Sequence, residues 1–124
     1  MDREPLFAEA LHVNTSYPTT VANDYSFEEV YSRLVRAKGK AGDILIGIST
    51  SGNSKNVINA IDTANRIGLI TVGLTGKTGG TIAGMCKHII RVPSEDTPVI
   101  QEAHIMIGHI ICHIVEGEFF SNGK

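Results

Sequence analysis

An α/β domain, a three-layer parallel sheet flanked by helices, is predicted by three features of the 124-residue sequence. Short apolar runs alternate with segments of helical periodicity, the rhythm of strands joined through helices. The clearest run, Asp43 to Ser49, is almost continuously apolar, as a parallel strand covered on both faces requires. Glycines stand where helices should end, at Gly39, Gly42 and Gly68.

The elements follow in order. Leu6 to Val13 reads as a weak first strand. Ser26 followed by Glu29 has the spacing of a capping box, in which the serine takes the Glu29 amide and the glutamate reaches back. The helix it opens carries Val30, Leu34 and Ala37 on one face. The strand at 43–49 comes next, and then a helix with Val57, Ile58, Ile61, Ala64 and Ile67 at helical spacing, ended by Gly68. Leu69 to Leu74 is a strand, Gly76 to Gly80 a loop, Thr81 to Met85 a short helix. His88 to Val92 is a strand stopped by Pro93, and a last helix runs from about Pro98 to Glu116, with Pro98 tolerated in its first turn.

Composition bounds the function. At 124 residues, 42% hydrophobic and 19% charged, the chain (1–124) is expected to be a single domain. The formal net charge is −2, and the eleven Lys and Arg form no stripe. A nucleic-acid partner, which needs a basic face, is therefore not expected. The longest apolar region, Ile105 to Val115, is interrupted by Gly108, His109 and His113, which argues against a membrane span of ~20 apolar residues. The start, MDREPLF, lacks the apolar segment of a signal peptide. Cys86 and Cys112 show no CxxC spacing and read as two reduced, buried thiols of a cytoplasmic protein.

Most chemistry gathers in Ser49-Thr50-Ser51-Gly52-Asn53-Ser54, between a strand and a helix. Unpaired amides at a helix N-terminus attract anions, hydroxyls add neutral donors, and glycine lets the backbone approach closely. The carboxyl end of a parallel strand is also where α/β folds bind ligands. Two readings fit: a phosphate cradle without arginine, or a plain turn with Ser54 as N-cap. Gly73-Leu74-Thr75-Gly76-Lys77-Thr78 superficially resembles a phosphate-binding P-loop. That motif needs a glycine at position 71, which is Thr71, so Lys77 reads as a solvated turn lysine.

The last helix is apolar nearly all round, as expected of an element buried on several sides, in a small domain often by a subunit contact, and it carries Gln101, Glu102, His104, His109 and His113. Glu102 and His109 lie about 20° apart around it, and Gln101 and His109 about 80°. His109 and His113 have the i, i+4 spacing of zinc ligands, but no HExxH accompanies them.

Three stretches together resemble a known family: Ala22-Asn23-Asp24-Tyr25, the run from Gly42 to Ser54, and Ile100-Gln101-Glu102-Ala103-His104 with His109. They are similar to the sugar isomerase (SIS) domain family, and within it to the phosphoheptose isomerases. Thr75-Gly76-Lys77 and Arg91-Val92-Pro93 fit the same pattern, and the likeness covers nearly the whole chain.

The resemblance implies a flavodoxin-like SIS fold, here lacking the family's N-terminal part. It implies isomerisation of sedoheptulose 7-phosphate to a heptose 7-phosphate through an enediol. Ser49, Thr50, Ser51 and Ser54 would bind the phosphate, with Asn23, Asp24 and Gln101 beside the substrate and His109 as the acid/base residue. Some members bind zinc, for which Gln101 and His109 would be the matching ligands. Cytoplasmic homo-oligomers, tetramers or dimers, are expected, and no membrane partner. The family's glutamate base has no match in positions 1–20, and Val99 stands where an arginine is common. A non-catalytic SIS module is the alternative, binding a sugar phosphate or a protein partner such as a replication initiator.

Overall fold

The computed structural model describes residues 4–120. Three strands, β1 (Ile44–Ile48), β2 (Ile70–Thr75) and β3 (His88–Arg91), form a parallel sheet in the order β1-β2-β3. The helices are α1 (Ser16–Asp24), α2 (Val30–Lys38), α3 (Lys55–Ile67) and α4 (Thr97–Phe120), with short 3₁₀ turns at Phe27–Glu29 and Thr81–Gly84. Each strand pair is joined through helical structure, as parallel pairing demands.

The register places Ile46 opposite Val72 and Leu74 opposite Ile90. Gly47 lets α3 sit directly on β1: a Cβ there would lie 3.1 Å from Val57 and 3.0 Å from Ile61. Ile61 and Ala64 of α3 are fully buried, and Val35 of α2 packs with Ala60 and Ala64. Gly68 closes α3 in the left-handed region (φ +93°), its amide donating to the carbonyls of Ala64 and Asn65.

Several expectations are corrected. Leu6–Val13 is not a strand. It lies over α2, with the Glu9 carboxylate accepting from Lys38 Nζ (2.6 Å) and Leu11 packed on the Val35 cluster, so no strand partner claims it. The positions after it form α1, a helix the apolar pattern did not announce.

The capping box does not form either. Ser26 makes no side-chain cap bond, the chain enters α2 through a 3₁₀ turn, and Ser32 Oγ donates to the Glu29 carboxylate instead (2.8 Å). In α2 the buried face is Val30, Leu34 and Val35, while Ala37 is exposed.

Two apolar surfaces expected to be covered are open in the single chain. Alternate residues of β1 point away from α3, leaving Ile44, Ile46 and Ile48 exposed. In α4 only Ile100 and His104 are buried, and Val99, Ile105, Met106, Ile110, Ile114 and Phe119 face outward. By length and composition α4 could cross a membrane, against the expectation drawn from its interruptions. Its start is nevertheless seated on the domain, where His104 Nε2 meets the Thr75 carbonyl at 3.2 Å.

Candidate functional site

The hydroxyl loop begins where β1 ends. The Ser49 amide donates to the Leu74 carbonyl (3.0 Å), extending the ladder by one residue, and the Gly52 amide turns back to the Ser49 carbonyl (3.0 Å). Ser49 is buried, and its Oγ lies 3.0 Å from Ser54 Oγ across the loop. Ser54 stands at the N-cap of α3 yet makes no side-chain cap bond. The plain-turn reading therefore loses its central bond, and the Ser54 hydroxyl serves the loop instead.

Backbone crossings hold the loop rigid. Gly52 has φ +68°, and a Cβ there would fall 2.1 Å from the Gly79 carbonyl oxygen. Gly80 approaches from the other side, with space for a Cβ filled by the Ser51 carbonyl oxygen at 2.4 Å. The Ile82 amide donates to the Gly52 carbonyl (3.1 Å), while Asn53 Oδ1 accepts from both the amide and hydroxyl of Thr81 (2.9 Å each). Such preorganised donors cost little to order when a ligand arrives.

A cleft of about 230 Å³ opens at the carboxyl ends of the strands, where α/β ligands bind. Thr50 and Ser51 line one side, and Gly76, Lys77 and Thr78 from the loop after β2 line another. Ser94, Glu95 and Thr97, with Ile100 of α4, complete it. Backbone bonds tie these walls together: the Gly76 amide donates to the Thr50 carbonyl (2.9 Å), and the Lys77 amide to the Ser94 carbonyl (3.0 Å).

Other expected site residues lie outside this cleft. Asn23 and Asp24 end α1, both exposed, with Asn23 Nδ2 donating to Asp24 Oδ1 (2.9 Å). The following Tyr25 is held by the Arg33 guanidinium, 4.1 Å from its ring centroid. Gln101 and His109 are exposed on α4, eight residues and about 12 Å apart along the axis. The single chain brings Thr50 and Ser51 into one cleft but not Asn23, Asp24, Gln101 or His109 with them.

The cleft also takes residues that sequence reading did not place there. Lys77 lies in a turn and is largely exposed, as read, and it also lines the cleft. Ser94, in a loop, and Thr97, the first residue of α4, were hidden because single hydroxyls carry no pattern. His104 is the buried histidine of α4: its Nε2 lies at the Thr75 carbonyl and so carries the proton, leaving Nδ1 a buried acceptor without a partner.

The thiols also depart from expectation. Cys112 is exposed and Cys86 half-buried, its thiol pushed up by burial, with a bond from Thr71 partly offsetting this. Zinc is poorly provided for. Gln101 and His109 offer two donors, fewer than the three protein ligands a catalytic zinc uses, and no group of three or more His, Cys, Asp or Glu gathers among the described residues.

Comparison with known proteins adds an independent line. The profile of the SIS domain family matches residues 1–76. The chain is 56% identical over 120 residues to a phosphoheptose isomerase of Clostridium acetobutylicum, covering 97% of this chain and 61% of that protein. With the phosphoheptose isomerase of Aneurinibacillus thermoaerophilus it shares 52% identity, over 98% of this chain and 61% of the relative.

The solved phosphoheptose isomerase of Neisseria gonorrhoeae superposes with a TM-score of 0.84 at 46% identity, over 86% of this chain and 61% of that one. That of Francisella tularensis gives 0.88 at 37% identity, over 91% and 61%. The chain thus spans about three-fifths of the length of these relatives.

Proposed function

The chain belongs to the SIS domain family, and on that premise we propose that it serves an aldose–ketose isomerase acting on sedoheptulose 7-phosphate. The observation that carries this reading is the Ser49–Ser54 loop. Its hydroxyls stand at the carboxyl end of β1 beside a cleft, fixed by the Gly52 and Gly80 crossings, with the N-terminus of α3 behind them. That arrangement suits a phosphate dianion, since hydroxyls and helix amides supply neutral donors and a favourable dipole. Ser49, Thr50, Ser51 and Ser54 are its binding residues, and Asn23, Asp24 and Gln101, which lie outside the cleft of one chain, contact the sugar where assembly of chains brings them to it.

Isomerisation of a ketose to an aldose removes a proton from C1 and delivers one to C2, while a hydroxyl proton passes from O1 to O2. His109 is the chain's acid/base group for one of these transfers, and each such group contributes roughly 100- to 10,000-fold in rate. The reaction needs a second such group beside it. Binding of the sugar phosphate without turnover is the second reading.

The same reading makes the protein a cytoplasmic homo-oligomer. The exposed row of Met106, Ile110 and Ile114 supports it, because an apolar surface of that extent is normally covered by another chain.

Proton exchange tests the chemistry. In deuterated water, sedoheptulose 7-phosphate incubated with the protein should gain deuterium at C1 or C2. His109→Ala should slow that exchange at least about 100-fold. Full exchange by the His109→Ala variant removes His109 from the mechanism.

A further inference from the structure

The hydroxyl-lined cleft holds one ammonium and one carboxylate, those of Lys77 and Glu95, with Nζ and Oε1 3.8 Å apart. Both side chains are largely exposed, 65% and 73%. A pair this loose and solvated holds its partners weakly. The Lys77 backbone is held firmly. Its amide donates to the Ser94 carbonyl (3.0 Å), and the preceding Gly76 amide donates to the carbonyl of Thr50 in the hydroxyl loop (2.9 Å). The lysine is thus anchored at its base beside Thr50 and Ser51, while its charged end is free to exchange one anion for another.

A phosphate monoester brings about two negative charges to that place, against one on Glu95. We propose that Lys77 is a specificity-determining residue: it leaves Glu95 to contact the phosphate of the sugar phosphate and favours the phosphorylated sugar over the free one. Glu95 works against it, both by occupying the ammonium and by repelling the incoming dianion. The inference rests on the sugar-phosphate reading above and adds a charged contact to its neutral cradle.

Opposite signs make it testable by calorimetry on the full chain. With sedoheptulose 7-phosphate at low salt, Lys77→Met should raise Kd about 5-fold, a surface-charge effect. The difference should shrink below about 2-fold at 0.5 M salt, where screening acts within a few ångströms. Glu95→Gln should lower Kd about 2- to 3-fold. Unphosphorylated sedoheptulose should bind both variants as it binds the unsubstituted chain.

Ser51→Ala with Ser54→Ala serves as the reference. If that variant loses binding while Lys77→Met and Glu95→Gln change nothing, the charged contact is refuted and the hydroxyl cradle stands. Equal weakening of the phosphorylated and free sugars by Lys77→Met also overturns the proposal. No binding by the unsubstituted chain removes the underlying reading, and this inference with it.

Discussion

Ser49 Oγ and Ser54 Oγ lie 3.0 Å apart, one buried at the end of β1 and the other at the start of α3. This contact closes the loop on itself and couples strand to helix. Ser54→Ala leaves the buried Ser49 hydroxyl without its partner, at a cost of about 1–3 kcal/mol. Replacing both should cost less than the sum of the single changes, with a coupling of about 1 kcal/mol. Urea unfolding of the two single variants and the double variant measures it, and strict additivity would contradict the contact.

Gly52→Ala should be among the most damaging changes available. The left-handed φ of +68° strains any side chain, and the added Cβ would meet the Gly79 carbonyl oxygen at 2.1 Å, backbone that cannot step aside cheaply. A loss of at least about 3 kcal/mol, or failure to fold, is the expected outcome. Thermal denaturation followed by circular dichroism reads it out, and a variant of unchanged stability would show that the two loops do not cross this closely.

His104→Ala should destabilise the chain by about 2–4 kcal/mol, through the cavity it leaves and the loss of the Thr75 contact. Because Thr75 leads directly into Gly76 and Lys77, sugar-phosphate affinity should fall as well. His109→Ala, at an exposed position, should leave the unfolding midpoint within about 0.5 kcal/mol of the parent. The contrast between the two histidines is the measurement. Equal effects on stability would mean that the buried and exposed positions are wrongly assigned.

The raised Cys86 thiol gives a pH dependence. Burial favours the neutral form, so in the folded protein this thiol ionises at higher pH than in the unfolded chain. Its contribution to stability is present below the ordinary thiol range and is lost as pH rises from there through the folded value. In a Cys112→Ser background, Ellman's reagent should reach half its limiting rate at higher pH with the folded protein than with the urea-unfolded one. Coincident profiles would contradict the burial.

Assembly is tested on α4. Ile110→Lys with Ile114→Lys places two ammonium groups in the exposed apolar row. Light scattering should then report the mass of one chain, 13.3 kDa, where the parent gives a multiple. A monomeric parent would show that this row is covered by something other than a second copy.

Much of the fold was legible because local signals and tertiary packing agreed. The Val57, Ile58, Ile61, Ala64 and Ile67 spacing and Gly68 mark α3 almost to the residue, and the runs read as strands at 43–49 and 69–74 are strands over Ile44–Ile48 and Ile70–Thr75. Leu6–Val13 misled because a short apolar run carries no information about whether a neighbouring strand will accept it. Ser26 and Glu29 have the right spacing for a capping box. Yet Ser26 stays extended before a 3₁₀ turn, and Glu29 finds a nearer partner in Ser32.

The apolar surface of α4 stands open in one chain. Its composition reports what the surface needs, and one chain cannot say what satisfies it. At the site, the Ser49–Ser54 loop stood out because its four hydroxyls are adjacent in sequence. Lys77 and Ser94 reach the cleft from two other loops and Thr97 from the start of α4, and only the sheet topology brings them there.

The central claim is that this chain reads a phosphorylated heptulose, and calorimetric titration with sedoheptulose 7-phosphate tests it most directly. Ribose 5-phosphate and inorganic phosphate serve as comparisons, and Ser51→Ala with Ser54→Ala as the site control. The account predicts saturable binding that is tightest for the heptulose phosphate and abolished in the double variant. Absence of binding to any of the three phosphates, by a chain shown to be folded, would contradict it.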